Sequence, residues 1–403
     1  MHPVQSILYY LFLSIELITA AYLLVPAFLL ISYGIVRLFK IRTPFQRRKF
    51  ITDKDFDYAM IITAHQETRF VVPLVDSILK QSYKNFLVYI VADDCDNVSD
   101  LNFNDARIRL LTPQPALNAK IKSIHYAIDN LERKHDAVII FDADNLIHPS
   151  FLEVINQHFK KGYKVVQTNF KPKNTDSSFA RMDAVGDIFN FFVEREGRMR
   201  LGISSAIWGS GVAVDLDLYQ EVKYQDFLGG FDKKLQSHLV QRVDQIAFAP
   251  DAILYDEKIS SGQSLQNQRT RWISSYFKYF GESWQVFFTG LKRFNFNLLY
   301  FGFNILRPPL FMVLGAAFMF TIISIFINIT HFWIWVAILF TFVLSFVLIV
   351  AVKGGNPAYL RTLFMLPLFV LRQMMALLKL KKARKSFMKT EHSKLIYIDD
   401  LLR

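Results

Sequence analysis

Between Ile7 and Phe39 an apolar run is interrupted by only two charges, Glu16 and Arg37. A helix crosses a bilayer core in about 20 residues, so residues 1–40 predict one long tilted membrane helix, with Pro26 as a site for a kink. The run is also too long for the core of a secretory signal. The pattern then changes. From Phe50 to Arg271, short apolar runs alternate with stretches whose apolar residues recur at helical spacing. Tyr58–Thr63, Leu87–Ala92, Val138–Phe141 and Lys164–Gln167 read as strands, and Val72–Lys80 and Lys120–Glu132 as helices. Such alternation over residues 50–272 predicts a Rossmann-like α/β domain. Its sheet is expected to be mainly parallel, covered by helices on both faces, with ligands at the carboxyl ends of the strands.

Past Trp272 the chain becomes aromatic and amphipathic. Residues 273–306 mix Tyr, Phe and Trp with Lys278, Lys292 and Arg293, as in helices lying among lipid headgroups. Pro309–Ile329 and Phe332–Val352 are each long enough to span, so residues 307–353 predict two membrane helices joined by a tight turn at Asn328–His331. A third apolar stretch, within residues 354–380, is broken by Arg361, Pro367 and Arg372. It spans, re-enters or lies flat. Residues 381–403 form a basic tail.

Composition supports the membrane reading, with 52% hydrophobic residues and 39 Phe. A net charge of +12 alone suits nucleic acid, but the basic residues border the apolar runs. Arg37, Lys40, Arg42, Arg47, Arg48 and Lys49 follow the first run; Lys379, Lys381, Lys382, Arg384 and Lys385 follow the last. That is the positive-inside pattern, with membrane lipids as partners and no nucleic acid. It predicts a multi-pass protein of the cytoplasmic membrane whose α/β domain and tail face the cytoplasm, and it disfavours a full third span. A single cysteine, Cys95, excludes an intramolecular disulfide and a cysteine-based zinc site, and nine scattered histidines show no metal-binding spacing.

The chemistry sits at strand ends. Asp142-Ala143-Asp144 follows an apolar strand and suits a hard divalent cation, Mg²⁺ or Mn²⁺, that also bridges two phosphate oxygens; a solvated Asp/Asn loop has the same composition. Asp93-Asp94 ends another strand, either accepting hydrogen bonds from a base or ribose or making a polar turn. Lys120 opens a helix, where it pairs with phosphate or is simply solvated. Asp232 follows Gly229-Gly230-Phe231 and leads into a helix over Lys233–Arg242; it serves as a general base or, as its position favours, as the N-cap. Gln268, Arg271 and Trp272 share one helix face: Arg clamps diphosphate and Trp walls a sugar, or both anchor an interfacial helix.

In this order, these residues resemble the membrane-integrated family-2 glycosyltransferases. That group contains the cellulose, chitin, hyaluronan and poly-N-acetylglucosamine synthases, with ceramide glucosyltransferase more distant. The likeness runs from Tyr58 to Trp272 and includes the flanking membrane pattern. Thr63-Ala64-His65-Gln66-Glu67 is similar to the family's first nucleotide segment, and Ser77–Tyr83 to the helix after it. Asp93-Asp94 resembles the uridine site, with Asp94 the direct contact, and Lys120–Ala127 the segment that follows. Asp142 and Asp144 resemble the metal motif, Trp208-Gly209-Ser210-Gly211 the acceptor loop, Asp232 the catalytic base, and Gln268, Arg271 and Trp272 the closing motif. Phe387–Thr390 is similar to a segment after the membrane helices of several synthases. Two positions depart: Phe231 stands where Glu is usual, and His125 where Asn is common.

The resemblance implies a GT-A fold and an inverting, metal-dependent hexosyltransferase using a UDP-sugar. Uracil would lie near Ala64, Glu67 and Asp94, and diphosphate near the metal, Lys120 and Arg271. Trp208, Gly209, Ser210 and Trp272 would receive the acceptor. A growing polysaccharide is the expected acceptor, with a membrane lipid as the alternative. A modest span count leaves room for an accessory subunit or an oligomer, and a non-catalytic scaffold is a remote reading.

Overall fold

The computed structural model describes residues 3–227, 229–260, 262–366 and 393–402. The chain begins in α1 (Pro3–Leu38), which continues through Pro26. A short helix, α2 (Pro44–Arg47), capped by the Thr43 side chain, leads toward the sheet. Among the described residues eight strands form one sheet. They are β1 (Tyr58–His65), β2 (Phe86–Asp93), β3 (Ile108–Leu111), β4 (Ala137–Asp142), β5 (Leu146–Ile147), β6 (Val165–Pro172), β7 (Val212–Asp215) and β8 (Ala247–Asp256). Their order is β3-β2-β1-β4-β7-β6-β8-β5.

Strands β3, β2, β1 and β4 are parallel, as the alternation predicts. Strand β7 is antiparallel to β4 and β6, and β5 to β8, so the sheet is mixed. Covering helices make the central strands apolar throughout: all eight residues of β2 are buried. The side chains of β1 divide by parity. Met60 and Ile62 join the core under α3 (Val71–Leu79), whereas Ala59 and Ile61 join the core under α4 (Lys120–Asp129). Helix α5 (Phe151–Lys160) shares the first face through Phe151, Leu152 and Ile155.

After β6 the chain leaves the sheet. Helix α6 (Ser178–Phe191) passes through a π-helical turn, Phe192–Glu196, into α7 (Gly197–Arg200). Val185, Phe189 and Phe192 pack with Leu23 and Leu29 of α1, so this run joins the sheet to the long apolar helix. Helices α8 (Leu216–Gln220) and α9 (Phe231–Leu239) return to the second face of the sheet.

Then follow α10 (Gly262–Lys278), α11 (Phe280–Lys292) and α12 (Phe296–Ile305). Next come α13 (Leu310–Ile327), α14 (Ile329–Gly354) and α15 (Pro357–Thr362), with α16 (Ile398–Leu402) near the end. Among the described residues three helices are long and apolar enough to cross a membrane: 6–38, 310–327 and 329–354. The expected turn at Asn328–His331 is tighter than predicted, because Asn328 alone separates α13 from α14 and caps α14 through the Thr330 amide. Glu16, the charge inside the first apolar run, accepts the Trp335 indole N–H at 3.1 Å from α14. The third apolar stretch is described only as far as Leu366; its remainder, the lysine-rich run at 379–385 and Phe387–Thr390 lie outside the described residues.

Candidate active site

Strand register brings the motif residues level. His65 pairs with Asp93 across β1 and β2, and Thr63 with Asp142 across β1 and β4, so three parallel strands end in one row. The antiparallel β7 starts at this end, which delivers the preceding loop, 208–211, to the same place. Gly211 requires its residue type: at φ +60, a Cβ there would sit 2.5 Å from the Thr168 hydroxyl. With that close approach the Gly211 amide bonds Ile140 and its carbonyl accepts from Thr168.

A cavity of about 2270 Å³ opens over these ends. Ala64, Glu67, Lys120, Asp142 and Asp144 line one part, and Trp208, Gly209, Ser210, Asp232, Gln268, Arg271 and Trp272 another. Lys120 links the two, since its Nζ lies 2.5 Å from Asp142 Oδ1 and donates to the Gly209 carbonyl at 2.9 Å. A Cβ on Gly209 would lie 3.9 Å from Asp232 Cβ, which fixes how near the expected base stands to this loop. Trp208 and Trp272 have ring centroids 6.3 Å apart, and Trp272 is partly exposed. Burial presses the pKa of the Arg271 guanidinium down, while the nearby Asp142 carboxylate acts against that shift.

Asp93 and Asp94 stand outside the cavity lining. Asp93 is buried and accepts the backbone amides of Leu117 and Asn118, at 2.7 and 2.8 Å. Asp94 is exposed at φ +54 and accepts from Gln66, which does line the cavity. Glu67 pairs with Arg69. The Ser210 hydroxyl is turned inward, donating to Ile140 and meeting Asn145.

The helix-cap reading of Asp232 is corrected. Gly230, at φ 71, is the N-cap of α9, which begins at Phe231, and Asp232 lies within the first turn. The glycine pair supplies a left-handed turn at the start of this helix, with Gly229 at φ 68 and Gly230 at φ 71. The carboxylate is thereby spared from capping.

Among the described residues no three His, Cys, Asp or Glu side chains gather as a metal site. Asp142 and Asp144 both line the cavity, as two carboxylates holding a hard cation would. Sequence reasoning missed a charged group beside Asp232: Glu194, Arg195, Arg198 and Arg307. Glu194, Arg198 and Arg307 line the cavity, and the Arg195 guanidinium lies over the Trp208 ring at 4.4 Å. The signal was available, because Glu194-Arg195-Glu196-Gly197-Arg198 directly follows the apolar run Phe191–Val193.

Residues 56–275 match the model of the glycosyltransferase-like family 2. Among solved structures, the chain is similar to the mannosyltransferase PcManGT from Pyrobaculum calidifontis, in complex with GDP-Man and Mn²⁺. Identity is 13% and the TM-score 0.53, over 92% of this chain and 99% of that one. A second similarity is to S. aureus TarS 1–349 in complex with UDP-GlcNAc, at 12% identity and TM-score 0.37, over 55% of this chain and 66% of that one. No curated protein matches the sequence. The fold is a GT-A-like mixed sheet, mostly parallel, joined to membrane-length helices at both ends.

Proposed function

This chain belongs to the glycosyltransferase-like family 2, and from that premise we propose that it transfers a hexose from a UDP-sugar to an acceptor hydroxyl at the membrane, with inversion. One observation carries the reading: Lys120 bonds Asp142 and the Gly209 carbonyl at once, joining a phosphate-binding corner to the loop beside Asp232. Uracil lies toward Ala64, Glu67 and Asp94, with Asp93 fixing the loop around it. Lys120, Arg271 and Gln268 hold the diphosphate end. Asp144 and Asp142 would hold Mg²⁺ or Mn²⁺, which supplies Lewis-acid stabilisation of the diphosphate leaving group. The Mn²⁺ and GDP-Man of the mannosyltransferase support a divalent ion and a nucleotide-sugar donor.

Asp232 takes the proton of the acceptor hydroxyl as its oxygen bonds to the anomeric carbon. The bond from that carbon to the diphosphate breaks, and UDP leaves with the electron pair. One displacement inverts the centre. Trp208 and Trp272 wall the sugar, and Gly209 and Ser210 shape the acceptor side.

A lipid acceptor is favoured over a growing polysaccharide, because the cavity runs on between α13 and α14, walled by Phe311, Leu314, Phe342 and Phe346. The cytoplasmic face of the cytoplasmic membrane remains the proposed location, on the basic residues after α1.

The test is UDP release by lipid-reconstituted protein across UDP- and GDP-sugars with Mg²⁺ or Mn²⁺. Release with one donor, abolished in Asp142→Asn, is expected. Asp232→Asn should lower kcat by about a hundred-fold or more while UDP affinity holds. Equal release from the wild type and Asp142→Asn would sink the reading.

A further inference from the structure

Between Asp232 and the membrane helices the cavity wall carries more positive charge than its own carboxylate neutralises. Arg195 and Arg198 come from the π-helical turn and α7, and Arg307 stands just before the first residues of α13. Glu194 pairs with two of the three guanidiniums. Arg307 Nη2 lies 2.6 Å from its Oε1 and Arg195 Nη1 3.8 Å from its Oε2. Burial pushes the Glu194 carboxyl up, yet Arg307, Arg195 and Arg198 outweigh it and hold it down at about 2. Asp187, which also faces Arg195, is taken by Lys258.

The three arginines have different duties. Arg195 is fixed between the rings of Phe191 and Trp208, each 4.4 Å from its guanidinium carbon. Arg198 is buried and donates through Nε to the Val193 carbonyl at 3.2 Å. Its other neighbour is Tyr300, whose ring lies 5.5 Å from the guanidinium carbon, and Arg198 lines the cavity. Burying a guanidinium beside a neutral phenol is costly, and an anion seated in the cavity would relieve that cost. Planar forked donors suit phosphate oxygens.

The order of chemistry along the cavity then matters. Past Arg307 and Pro308 it becomes an apolar cleft between Phe311, Leu314 and Phe318 of α13 and Phe342 and Phe346 of α14. Both helices are membrane-length. A molecule filling this path meets apolar walls, then guanidiniums, then the Asp232 carboxylate. Donor diphosphate has its own cations at Lys120 and Arg271, both beside Asp142.

Resting on the transferase reading above, we propose that the acceptor is a membrane lipid bearing a phosphate between its apolar chains and the accepting hydroxyl, held by Arg198 and Arg307. Phosphatidylglycerol has that arrangement, and diacylglycerol has the hydroxyl without the phosphate.

The experiment titrates purified full-length protein in neutral detergent with brominated-chain phosphatidylglycerol or matched brominated diacylglycerol, reading quenching of tryptophan fluorescence. UDP affinity with Mn²⁺ is measured in parallel. Saturable phosphatidylglycerol binding at least about ten-fold tighter than diacylglycerol is expected. Arg198→Gln should weaken it about ten-fold and leave UDP affinity unchanged. Should Arg198→Gln fail to fold, Arg198→Lys, which keeps the charge and loses the fork, gives an intermediate affinity, and Leu314→Trp blocks the cleft. Equal affinity for the two lipids overturns the proposal, as does phosphatidylglycerol binding indifferent to these changes. A parallel loss of UDP affinity in a folded Arg198 variant assigns the guanidinium to the donor and overturns it too. Inorganic phosphate should displace the lipid only at far higher concentration; binding as tight as the lipid's would make the source free phosphate. Lipid indifference with UDP release intact sinks this inference alone, whereas absent UDP release sinks the transferase reading.

Discussion

Asp93 and Asp94 are neighbours in sequence with opposite surroundings. Asp93 is buried and closes two backbone amides, so Asp93→Ala leaves those donors unsatisfied and should cost about 3 kcal/mol of stability, read from a denaturant midpoint. Asp94 lies at φ 54, a conformation that Asn tolerates, so Asp94→Asn should hold the midpoint within about 0.5 kcal/mol and weaken UDP binding. The dipeptide announced a polar strand end but not which carboxylate turned inward. Side-chain parity needs an exposed face, and β2 has none. His158 was equally silent. It lies buried in α5 with its ring 4.3 Å from Phe45, and burial pushes its pKa down to about 4. The folded imidazole is thus neutral where the unfolded one, near 6.5, takes a proton. Acidification through that window favours the unfolded chain, by up to about 3 kcal/mol at pH 4. Unfolding midpoints measured against pH should fall more steeply for the wild type than for His158→Phe.

At the level of elements, helix α10 matters as much for where it leans as for its Arg271. Ser275 and Tyr279, on α10 and just past its end, press on the turn that starts α9. A Cβ on Gly230 would lie 2.8 Å from Ser275 Cβ and 2.9 Å from Tyr279, at φ +71. Gly230→Ala must therefore displace the first turn of α9 and Asp232 with it. Its kcat should fall about ten-fold or more with UDP affinity little changed, by steady-state UDP release beside calorimetry. Helix α10, the parallel strands and the long membrane helices were legible because period and length mark them. Strand β7 was not: four residues after a glycine loop carry no orientation signal. The π-helical turn was also hidden, since the added residue per turn leaves composition untouched. Its charges were visible, and a cluster of Glu and Arg directly after an apolar run marks a site that pattern reading alone passed over.

For the whole molecule, the three membrane-length helices among the described residues could be read from apolar length, whereas the docking of the last residues could not. Residues 393–402 fold back onto the catalytic half: Ser393 N–H donates to Glu257 at 2.8 Å, Lys394 pairs with Asp176 at 2.6 Å, and Lys80 with Asp399 at 2.7 Å. Ile398 is fully buried there. Ion pairs between residues some 200 or 300 positions apart leave no periodic trace, so nothing in the tail's composition foretold them. This docking also makes the tail a reporter of sidedness. Leu395 is 55% exposed, and the native thiol, Cys95, is half-buried with its pKa pushed up by that burial. In Leu395→Cys, a membrane-impermeant maleimide added to sealed vesicles of known orientation should label from the cytoplasmic surface alone. Whichever side it labels, the compartment that supplies the nucleotide sugar is identified by the same thiol.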